Sequence, residues 1–284
     1  MSESLAVKSH KGEYGVLFNQ NALKEPACGG LAGCHFIIDG KVAGLYKDEL
    51  GKILSSGSVL LIAADEKSKS LDRFPDYVTR LVTHGIRRGH KLVAIGGGVI
   101  QDITCFLGAT LLRGVKWEFY PTTLLAQADS CIGSKSSINV GEIKNILGTF
   151  TPPDKIYICA HFLKTLEKDQ ICSGIGEMLK VHAIAGPEAF DKLAADHETM
   201  RGDLSLMESY IRSSLEIKRA IIEADEFDKG PRNILNYGHS FGHAMESEIL
   251  VRAGIESADA AVVTTSGDNT NIVIGQVLQK RWEV

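Results

Sequence analysis

Residues 91–102 have the sequence KLVAIGGGVIQD, in which a short apolar run leads directly into three consecutive glycines. The run 91–95 predicts a buried strand, and residues 99–112 have the spacing of an amphipathic helix. Glycines between a strand and a helix let the backbone approach a pyrophosphate at the helix N-terminus, although a simple tight turn would also explain them. The stretch therefore predicts a strand–turn–helix unit of an α/β fold.

Strands and helices alternate on both sides of this stretch. Short apolar runs predict four further buried strands, at residues 34–39, 58–64, 115–120 and 155–159. Residues 71–88 have helical spacing between two of these strands. This order is typical of a parallel sheet covered by helices. We therefore predict a Rossmann-like parallel-sheet domain that binds NAD over residues 1–160.

The character of the sequence changes after residue 160. Amphipathic segments of helix length follow one another, at residues 161–185, 186–201, 203–228 and 232–250. They contain no convincing strand. We predict a C-terminal, all-helical and truncated metal- and substrate-binding domain over residues 161–249. The last segment, 250–284, is predicted to form an atypical βα tail.

Composition excludes several classes of protein. The chain has 284 residues, of which 44% are hydrophobic and 23% charged, as in ordinary globular proteins. A net charge of −4 gives no basic field for nucleic acid. No stretch reaches the roughly 18–20 apolar residues of a membrane span, and the first ten residues lack the apolar core of a signal peptide. The six cysteines form no CxxC pair, which is typical of reduced thiols. We expect a soluble cytoplasmic protein that binds neither nucleic acid nor a membrane.

Polar residues that could bind an anionic ligand are concentrated between residues 121 and 145. This stretch contains Asp129, Lys135, Lys144 and Asn145 among glycines and serines. Lysines in such a segment can hold phosphate, and the Asn145 amide can donate to substrate oxygens. A solvated loop would explain the same composition.

Two residue pairs in the predicted helices could carry chemistry. Glu177 and Lys180 are three residues apart and share a helix face, as a simple surface ion pair also would. His239 and His243 are four residues apart, so both imidazoles project from one side of a helix. That spacing suits a divalent metal ion.

Basic residues recur in these same regions of an acidic protein. They are Arg113, Lys135, Lys144, Lys180, Lys218 and Arg232. Their convergence indicates a substrate with more than one negative group.

Five motifs, in this order, resemble those of the 3-dehydroquinate synthases in the sugar-phosphate cyclase group. They are GGGVIQD, RGVKWEFYPTTLLAQADSCIGSKSSIN, KNILGTF, GEMLK and RNILNYGHSFGHAME, and the resemblance runs from about residue 12 to 247. It implies a cytosolic homodimer that uses NAD⁺ and a divalent metal ion, zinc or cobalt. The implied reaction converts an anionic sugar phosphate, 3-deoxy-D-arabino-heptulosonate 7-phosphate, to 3-dehydroquinate and phosphate. This is a step of the shikimate pathway of aromatic amino acid biosynthesis.

The resemblance also implies roles for individual residues. Positions that hold NAD are matched by Asp39, Glu66, Lys69, Gly97, Gly98, Asp102, Thr122, Thr123, Lys144 and Thr165. Two metal ligands are matched by Glu177 and His239. Catalytic positions are matched by Asp129, Lys135, Lys180, Asn236 and His243. Substrate-binding positions are matched by Arg113, Asn145, Lys218 and Arg232.

Two of these assignments bear on the substrate. Arg232 resembles the family's carboxylate-binding arginine. It therefore favours a sugar acid phosphate over the sugar phosphates of the valiolone and inosose cyclases, which carry no carboxylate. Aminodehydroquinate synthases share this pocket and remain an alternative. Asn236 and His243 are candidates for phosphate contact and proton handling.

The sequence departs from the family near its end. The family's third metal ligand is a histidine 16 residues after the first, but Ile255 occupies that position, and no histidine follows His243. Residues 250–284 instead resemble a fragment of the nucleotide-binding regulatory domain of potassium-uptake proteins, too short to carry a function over. Two protein ligands are fewer than a catalytic zinc site uses. We therefore expect weakened or absent turnover, with NAD binding better preserved.

Two further functions remain open. A chain without the third ligand could be a non-catalytic NAD-binding remnant. A metal-dependent alcohol dehydrogenase of the glycerol dehydrogenase type would share the two-domain plan, but a small alcohol needs none of the lysines and arginines noted above.

Overall fold

The computed structural model of the chain describes residues 4–22 and 30–236. The described residues up to Phe227 belong to one compact unit, and residues 228–236 belong to a second. His239, His243 and the predicted tail lie outside the described residues. The predicted boundaries after residues 160 and 249 stay predictions.

The described residues contain nine β-strands. They are β1 (Ser4–Ser9), β2 (Gly12–Phe18), β3 (Cys34–Asp39), β4 (Val59–Ile62), β5 (Lys91–Gly96), β6 (Lys116–Pro121), β7 (Lys135–Val140), β8 (Ile143–Phe150) and β9 (Lys155–Ile158). Seven of them form one sheet in the order β1-β2-β9-β6-β5-β3-β4, and β7 and β8 form a separate hairpin. In the large sheet only the β1–β2 pair is antiparallel. The predicted parallel sheet is therefore confirmed.

The described residues also contain seven α-helices. They are α1 (Gly40–Leu45), α2 (Gly51–Leu54), α3 (Phe74–Thr83), α4 (Gly98–Thr110), α5 (Lys168–Ala185), α6 (Pro187–Met200) and α7 (Leu204–Ala224). α5, α6 and α7 contact one another, so the helical prediction after residue 160 is confirmed as far as Ala224. The described part of the predicted helix 232–250 is a 3₁₀ turn, Pro231–Asn236. Within the described ranges, no helix has both the length and the apolar character that crossing a membrane requires.

All five predicted strands are present, but two hairpins were not predicted. β1 and β2 form an antiparallel pair at one edge of the large sheet. β7 and β8 lie in the stretch whose polar composition could equally indicate a solvated loop. The eight residues of β8 are nearly all exposed, so no apolar alternation marks the strand in the sequence.

Helix α4 is held against the sheet by apolar packing. Ile100, Ile103 and Leu107 are buried on it. Gly108 allows close approach, because a Cβ there would lie 3.2 Å from the carbonyl oxygen of Val115 and 3.3 Å from Cδ1 of Trp117. Burying each large apolar side chain contributes roughly 1.5–3 kcal/mol. This packing fixes the first turn of α4 where β5 ends.

All five described cysteines are thiols, and four of them are buried. Burial raises the pKa of Cys105 to about 11 and that of Cys131 to about 12. Because the thiolate is the reactive form, these two side chains behave as small apolar groups. This agrees with the prediction of reduced thiols for the described cysteines.

A buried histidine lies at the amino end of β3, away from the carboxyl edge of the sheet. His35 Nδ1 is 2.6 Å from Ser58 Oγ, and its Nε2 is 2.9 Å from His90 Nδ1. Burial, followed by the neighbouring His90 and His84, lowers the pKa of His35 from 6.5 to about 4. The folded protein therefore resists protonation of this ring.

This lowered pKa predicts a loss of stability in mild acid. The unfolded chain takes up the proton near pH 6.5 and the folded chain near pH 4, so this contribution to stability is complete above pH 6.5 and falls as the pH decreases to 4. We expect roughly 3 kcal/mol less free energy of unfolding across that interval. Urea denaturation between pH 4 and 7 should show a shallower pH dependence for His35→Asn than for the wild type. The partly exposed His197→Gln serves as control. Equal slopes for His35→Asn and wild type would contradict the prediction.

Candidate cofactor and substrate site

A cavity of about 600 Å³ opens at the carboxyl edge of the parallel sheet. The ends of β3, β4, β5 and β6 contribute to its wall, together with α5. Four of the ten predicted NAD-binding residues line it, namely Asp39, Gly97, Gly98 and Thr123. The carboxyl edge is where open α/β sheets bind ligands. The cavity therefore lies where the sequence predicts the nucleotide.

The two glycines at the start of α4, Gly97 and Gly98, differ in what a side chain at each position would contact. A Cβ on Gly97 would lie 3.0 Å from Cγ2 of Thr123, so Gly97 permits close packing within the protein. Gly98 lines the cavity, and a Cβ there would meet nothing within 4 Å. The first N–H groups of a helix have no partner within the helix and suit a phosphate. Gly98 thus leaves the first turn of α4 accessible to an anionic ligand.

A polar network lies beside this helix start, centred on the buried Lys69. Its Nζ donates to Asp102 Oδ2 at 2.9 Å and to Asn145 Oδ1 at 2.9 Å. Asp102 Oδ1 also accepts from the backbone N–H of Ser137 at 3.0 Å. Burial raises the pKa of Asp102, and Lys69 opposes that rise.

The network brings together residues to which the sequence assigned different roles. Lys69 and Asp102 were predicted to hold NAD, whereas Asn145 was predicted to bind substrate. Glu66 lies at the edge of the network, 3.9 Å from Lys69 Nζ. Three separate elements supply these groups: the loop after β4, the helix α4 and the β7–β8 hairpin. The structure thus places the predicted cofactor and substrate contacts side by side.

A second cluster contains Asp129 and Lys218. Asp129 lies in a π-helical turn, Ala126–Ser130, which contacts α5 and α7. Lys218, buried on α7, has its Nζ 2.9 Å from Asp129 Oδ1 and donates to the Asp129 carbonyl at 2.6 Å. Gly174 allows α5 to pack closely against the segment that leads into this turn, since a Cβ on Gly174 would be 2.4 Å from Cγ of Leu124. One predicted catalytic residue and one predicted substrate-binding residue are therefore in direct contact.

The two clusters are connected by Gln101, a residue to which the sequence assigned no role. Its Nε2 donates to the Ser130 carbonyl at 2.6 Å, and the Ser130 hydroxyl donates to its Oε1 at 2.8 Å. Gln101 is buried in the first turn of α4. A long polar side chain inside the motif GGGVIQD, on a helix with mostly apolar residues, was the available signal.

Glu177 and Lys180 form a hydrogen-bonded ion pair on α5, and both side chains are largely buried. They are thus not a pair on an exposed helix surface. Among residues 4–22 and 30–236, no three His, Cys, Asp or Glu side chains are grouped so as to hold a metal ion. His239, the other predicted ligand, lies outside these ranges. The described residues alone do not complete the predicted metal site.

Three other predicted NAD contacts occupy different surroundings. Thr122 is buried after β6, where its backbone N–H donates to the Gly96 carbonyl at 2.9 Å. The hydroxyl of Thr165 is 2.9 Å from that of Tyr46 and does not line the cavity. Lys144 is exposed on β8.

The remaining predicted catalytic and substrate residues are not brought to the cavity by the described chain. Lys135 is exposed at the start of β7. Arg113 follows the C-terminal end of α4, about 18 Å along the helix from Gly98. Arg232 and Asn236 lie in the 3₁₀ turn of the second unit, and His243 lies outside the described residues. Their roles stay predictions.

Family models and individual relatives agree on the family to which the chain is similar. The models for the N-terminal and C-terminal parts of 3-dehydroquinate synthase match residues 59–173 and 174–256. The chain is 39% identical over 215 residues to the 3-dehydroquinate synthase of Enterococcus faecalis, covering 74% of this chain and 60% of that protein. It is 38% identical over 205 residues to that of Dictyoglomus thermophilum, covering 72% and 57%. The chain thus spans about three fifths of the length of these curated relatives.

Solved structures confirm the fold. The 2-epi-5-epi-valiolone synthase ValA from Streptomyces hygroscopicus, solved with NAD⁺ and Zn²⁺, has a TM-score of 0.71 and 27% identity over 82% of this chain and 68% of its own. A 2-deoxy-scyllo-inosose synthase complexed with carbaglucose-6-phosphate, NAD⁺ and Co²⁺ has a TM-score of 0.72 at 20% identity, over 86% of this chain and 69% of its own. Glycerol dehydrogenase from Schizosaccharomyces pombe, at 14% identity and a TM-score of 0.56 over 87% of this chain and 71% of its own, shares the fold alone.

The reciprocal bonds between Gln101 and Ser130 predict a measurable stability effect. Gln101→Met keeps a similar volume but leaves the half-buried Ser130 groups without these bonds, which should cost about 1–3 kcal/mol of unfolding free energy. Ser130→Ala removes one of the two bonds and should cost less. Urea denaturation measures both, and the double variant should cost less than the sum of the two single variants. Strict additivity would show that the two side chains are not coupled.

Proposed function

Because the chain belongs to the 3-dehydroquinate synthase family, we propose that its function is that of a 3-dehydroquinate synthase. The reaction converts 3-deoxy-D-arabino-heptulosonate 7-phosphate to 3-dehydroquinate and phosphate, as a lyase of aromatic amino acid biosynthesis. The observation that carries the proposal is that Gly98, which has open space at its Cβ position, lines the cavity at the start of the helix that also bears Asp102. The relatives from Enterococcus faecalis and Dictyoglomus thermophilum, of which this chain covers 60% and 57%, are both 3-dehydroquinate synthases.

The cofactor is proposed to be NAD⁺, as in the bound form of ValA. The cavity fits this group, because it combines an accessible helix N-terminus with a carboxylate, Asp39, at the end of the neighbouring strand β3. Gly97, Gly98 and Thr123 would line the dinucleotide. When bound, NAD⁺ supplies a reversible acceptor for hydride from a secondary alcohol.

A divalent metal ion is proposed as the second cofactor, since ValA was solved with Zn²⁺ and the inosose synthase with Co²⁺. Such an ion would supply Lewis acidity toward a substrate oxygen. Glu177 is the only predicted ligand among the described residues, and its carboxylate is held by Lys180. The donor set among the described residues does not make a complete metal site.

The chain's own residues would bind and orient a substrate with two anionic ends. Lys180 and Lys218 supply positive charge on neighbouring helices of the same unit, and Asp129 fixes the ammonium of Lys218 at 2.9 Å. Fixing the reacting groups in this way contributes to catalysis by proximity and orientation. Arg113, Lys135, Arg232, Asn236 and His243 are proposed for the phosphate, the carboxylate and proton transfer on the basis of the resemblance.

A non-catalytic NAD-binding remnant is the second candidate. The specific observation in its favour is that Ile255 stands where the family has its third metal ligand, and that no histidine follows His243. An aminodehydroquinate synthase would use the same pocket with a different substrate. A glycerol dehydrogenase activity is not proposed, because that enzyme shares only the fold at 14% identity.

The chain is further proposed to act in the cytoplasm as a homodimer. Support for a second copy comes from the β7–β8 hairpin, where Ile143 is 59% and Ile146 57% exposed. Large apolar side chains that share an exposed strand are typical of an interaction surface. Nucleic acid and membranes are not proposed as partners.

NAD binding can be tested by adding one methyl group to the cavity wall. Gly98→Ala introduces no clash within the protein, since nothing lies within 4 Å of the added atom, and it adds a methyl group to a residue that lines the cavity. We expect at least about a tenfold loss of NAD affinity in isothermal titration. Gly44→Ala, also in a helix and with nothing within 4 Å of its Cβ, should bind NAD as the wild type does. Equal affinity of wild type and Gly98→Ala would refute this placement of NAD.

Turnover can be tested by measuring phosphate release from 3-deoxy-D-arabino-heptulosonate 7-phosphate with NAD⁺ and Zn²⁺. We expect release to be weak or absent compared with the Enterococcus faecalis enzyme, because the third metal ligand is missing. The phosphate release measured with the variant Lys218→Met serves as the baseline. Release above that baseline without net NADH formation supports the synthase, whereas NAD binding with no release supports the non-catalytic alternative. A rate equal to that of the relative would overturn the expected weakening.

A further inference from the structure

Asn139 is a buried residue of β7 that ends one of the quoted motifs but was given no role, and it does not line the cavity. Its Nδ2 donates to Glu66 Oε2 at 2.8 Å and to the Glu66 carbonyl at 3.3 Å. Its Oδ1 accepts from the backbone N–H of Asn145 at 2.8 Å. One side chain thus binds both the loop after β4 and the second strand of the hairpin.

The backbone of Asn139 reinforces this connection. Its N–H donates to the Lys69 carbonyl at 3.0 Å, and Ser70 and Asn139 form an isolated parallel bridge. The ladder between β7 and β8 has an irregularity between Ile138 and Val140, at Asn139 itself. Bulges of this kind redirect a side chain out of regular pairing. Here the irregularity lies where the hairpin meets the loop.

The conformation of Asn145 shows what the connection achieves. Asn145 has φ +56°, in the left-handed region, and Asn139 Oδ1 holds its N–H. Its own Oδ1 accepts from Lys69 Nζ and from Ser137 Oγ, each at 2.9 Å. An ammonium can only donate, so Lys69 determines which end of the amide faces it. The Asn145 Nδ2 therefore faces away from Lys69.

We propose that Asn139 is a positioning residue that fixes Glu66 and Lys69 relative to Asn145, so that the NAD-contacting and substrate-contacting groups form one rigid set. The identity of the two ligands rests on the proposed function, whereas the connection itself rests on the contacts of Asn139. Glu66 and Asn145 come from segments about 80 residues apart in sequence, and Asn139 binds both directly.

The chemistry of the site requires an amide at this position. Glu66 needs a donor and the N–H of Asn145 needs an acceptor, and an amide offers both. An aspartate would keep the acceptor for Asn145 but would place a second carboxylate against Glu66. The contact with Glu66 would then become repulsive, while the contact with the N–H of Asn145 would be kept.

The test uses Asn139→Asp, Glu66→Gln and the double variant in the full chain. Asn139→Asp should weaken NAD binding about tenfold in isothermal titration. Hydrogen exchange should rise in residues 64–70 and 141–147 and stay unchanged in α4. In the double variant, the amide introduced at position 66 can donate to the carboxylate introduced at position 139, so affinity and exchange should return to the values of Glu66→Gln alone. The exposed Asn21→Asp, which adds the same charge elsewhere, is the matched control.

Each outcome decides the proposal. Unchanged exchange in both segments of Asn139→Asp would overturn it, as would a double variant that binds NAD about tenfold more weakly than Glu66→Gln. If Asn139→Asp fails to fold, the double variant must fold for the proposal to stand. If the wild type does not bind NAD, the proposed function is refuted, and the exchange data alone still decide whether Asn139 joins the two segments.

Discussion

The ammonium of Lys69 is the constraint on which the rest of the site depends. It is buried between the Asp102 carboxylate and the Asn145 amide, both 2.9 Å away. Removing such charges from water costs several kcal/mol, which good geometry and extra hydrogen bonds offset, so a buried ion pair is weak evidence for stability. An apolar pair would hold the same elements together. The charged pair is better explained by the ligands that these groups are proposed to bind.

Helix α4 carries this constraint to the second cluster. Asp102 and Gln101 are consecutive, and consecutive residues of a helix point about 100° apart. Asp102 therefore faces Lys69 and the β7–β8 hairpin, while Gln101 forms a hydrogen bond with Ser130 in the turn that carries Asp129. Because Asp129 in turn holds Lys218, a continuous series of direct contacts extends from the loop after β4 to α7. The first turn of α4 thus positions both clusters as well as one wall of the cavity.

The sequence predicted the sheet better than it predicted the site geometry. Apolar runs identify β3, β5 and β6 because central parallel strands are buried on both faces. In the β7–β8 hairpin, β8 is nearly all exposed although it carries apolar residues, and β7 mixes buried polar with buried apolar residues, so periodicity does not distinguish the hairpin from a loop. Residue types and motif resemblance indicated Lys69, Asp102 and Asn145, but not their mutual contact. Asn139 and Gln101 were missed because their role is to bind other residues, which only the three-dimensional arrangement reveals.

Under the proposed function, NAD binding and turnover would depend on different parts of the chain, so one could persist without the other. The cavity wall and the Lys69 network are built entirely from residues of the first unit. A divalent ion at Glu177 would compete with Lys180 for the same carboxylate. In a site with three protein ligands, the ion's charge is strongly held and can displace an ammonium. Under the proposed function, Ile255 stands where the resemblance places the third ligand, so an ion would be held less strongly and would displace Lys180 from Glu177 less readily.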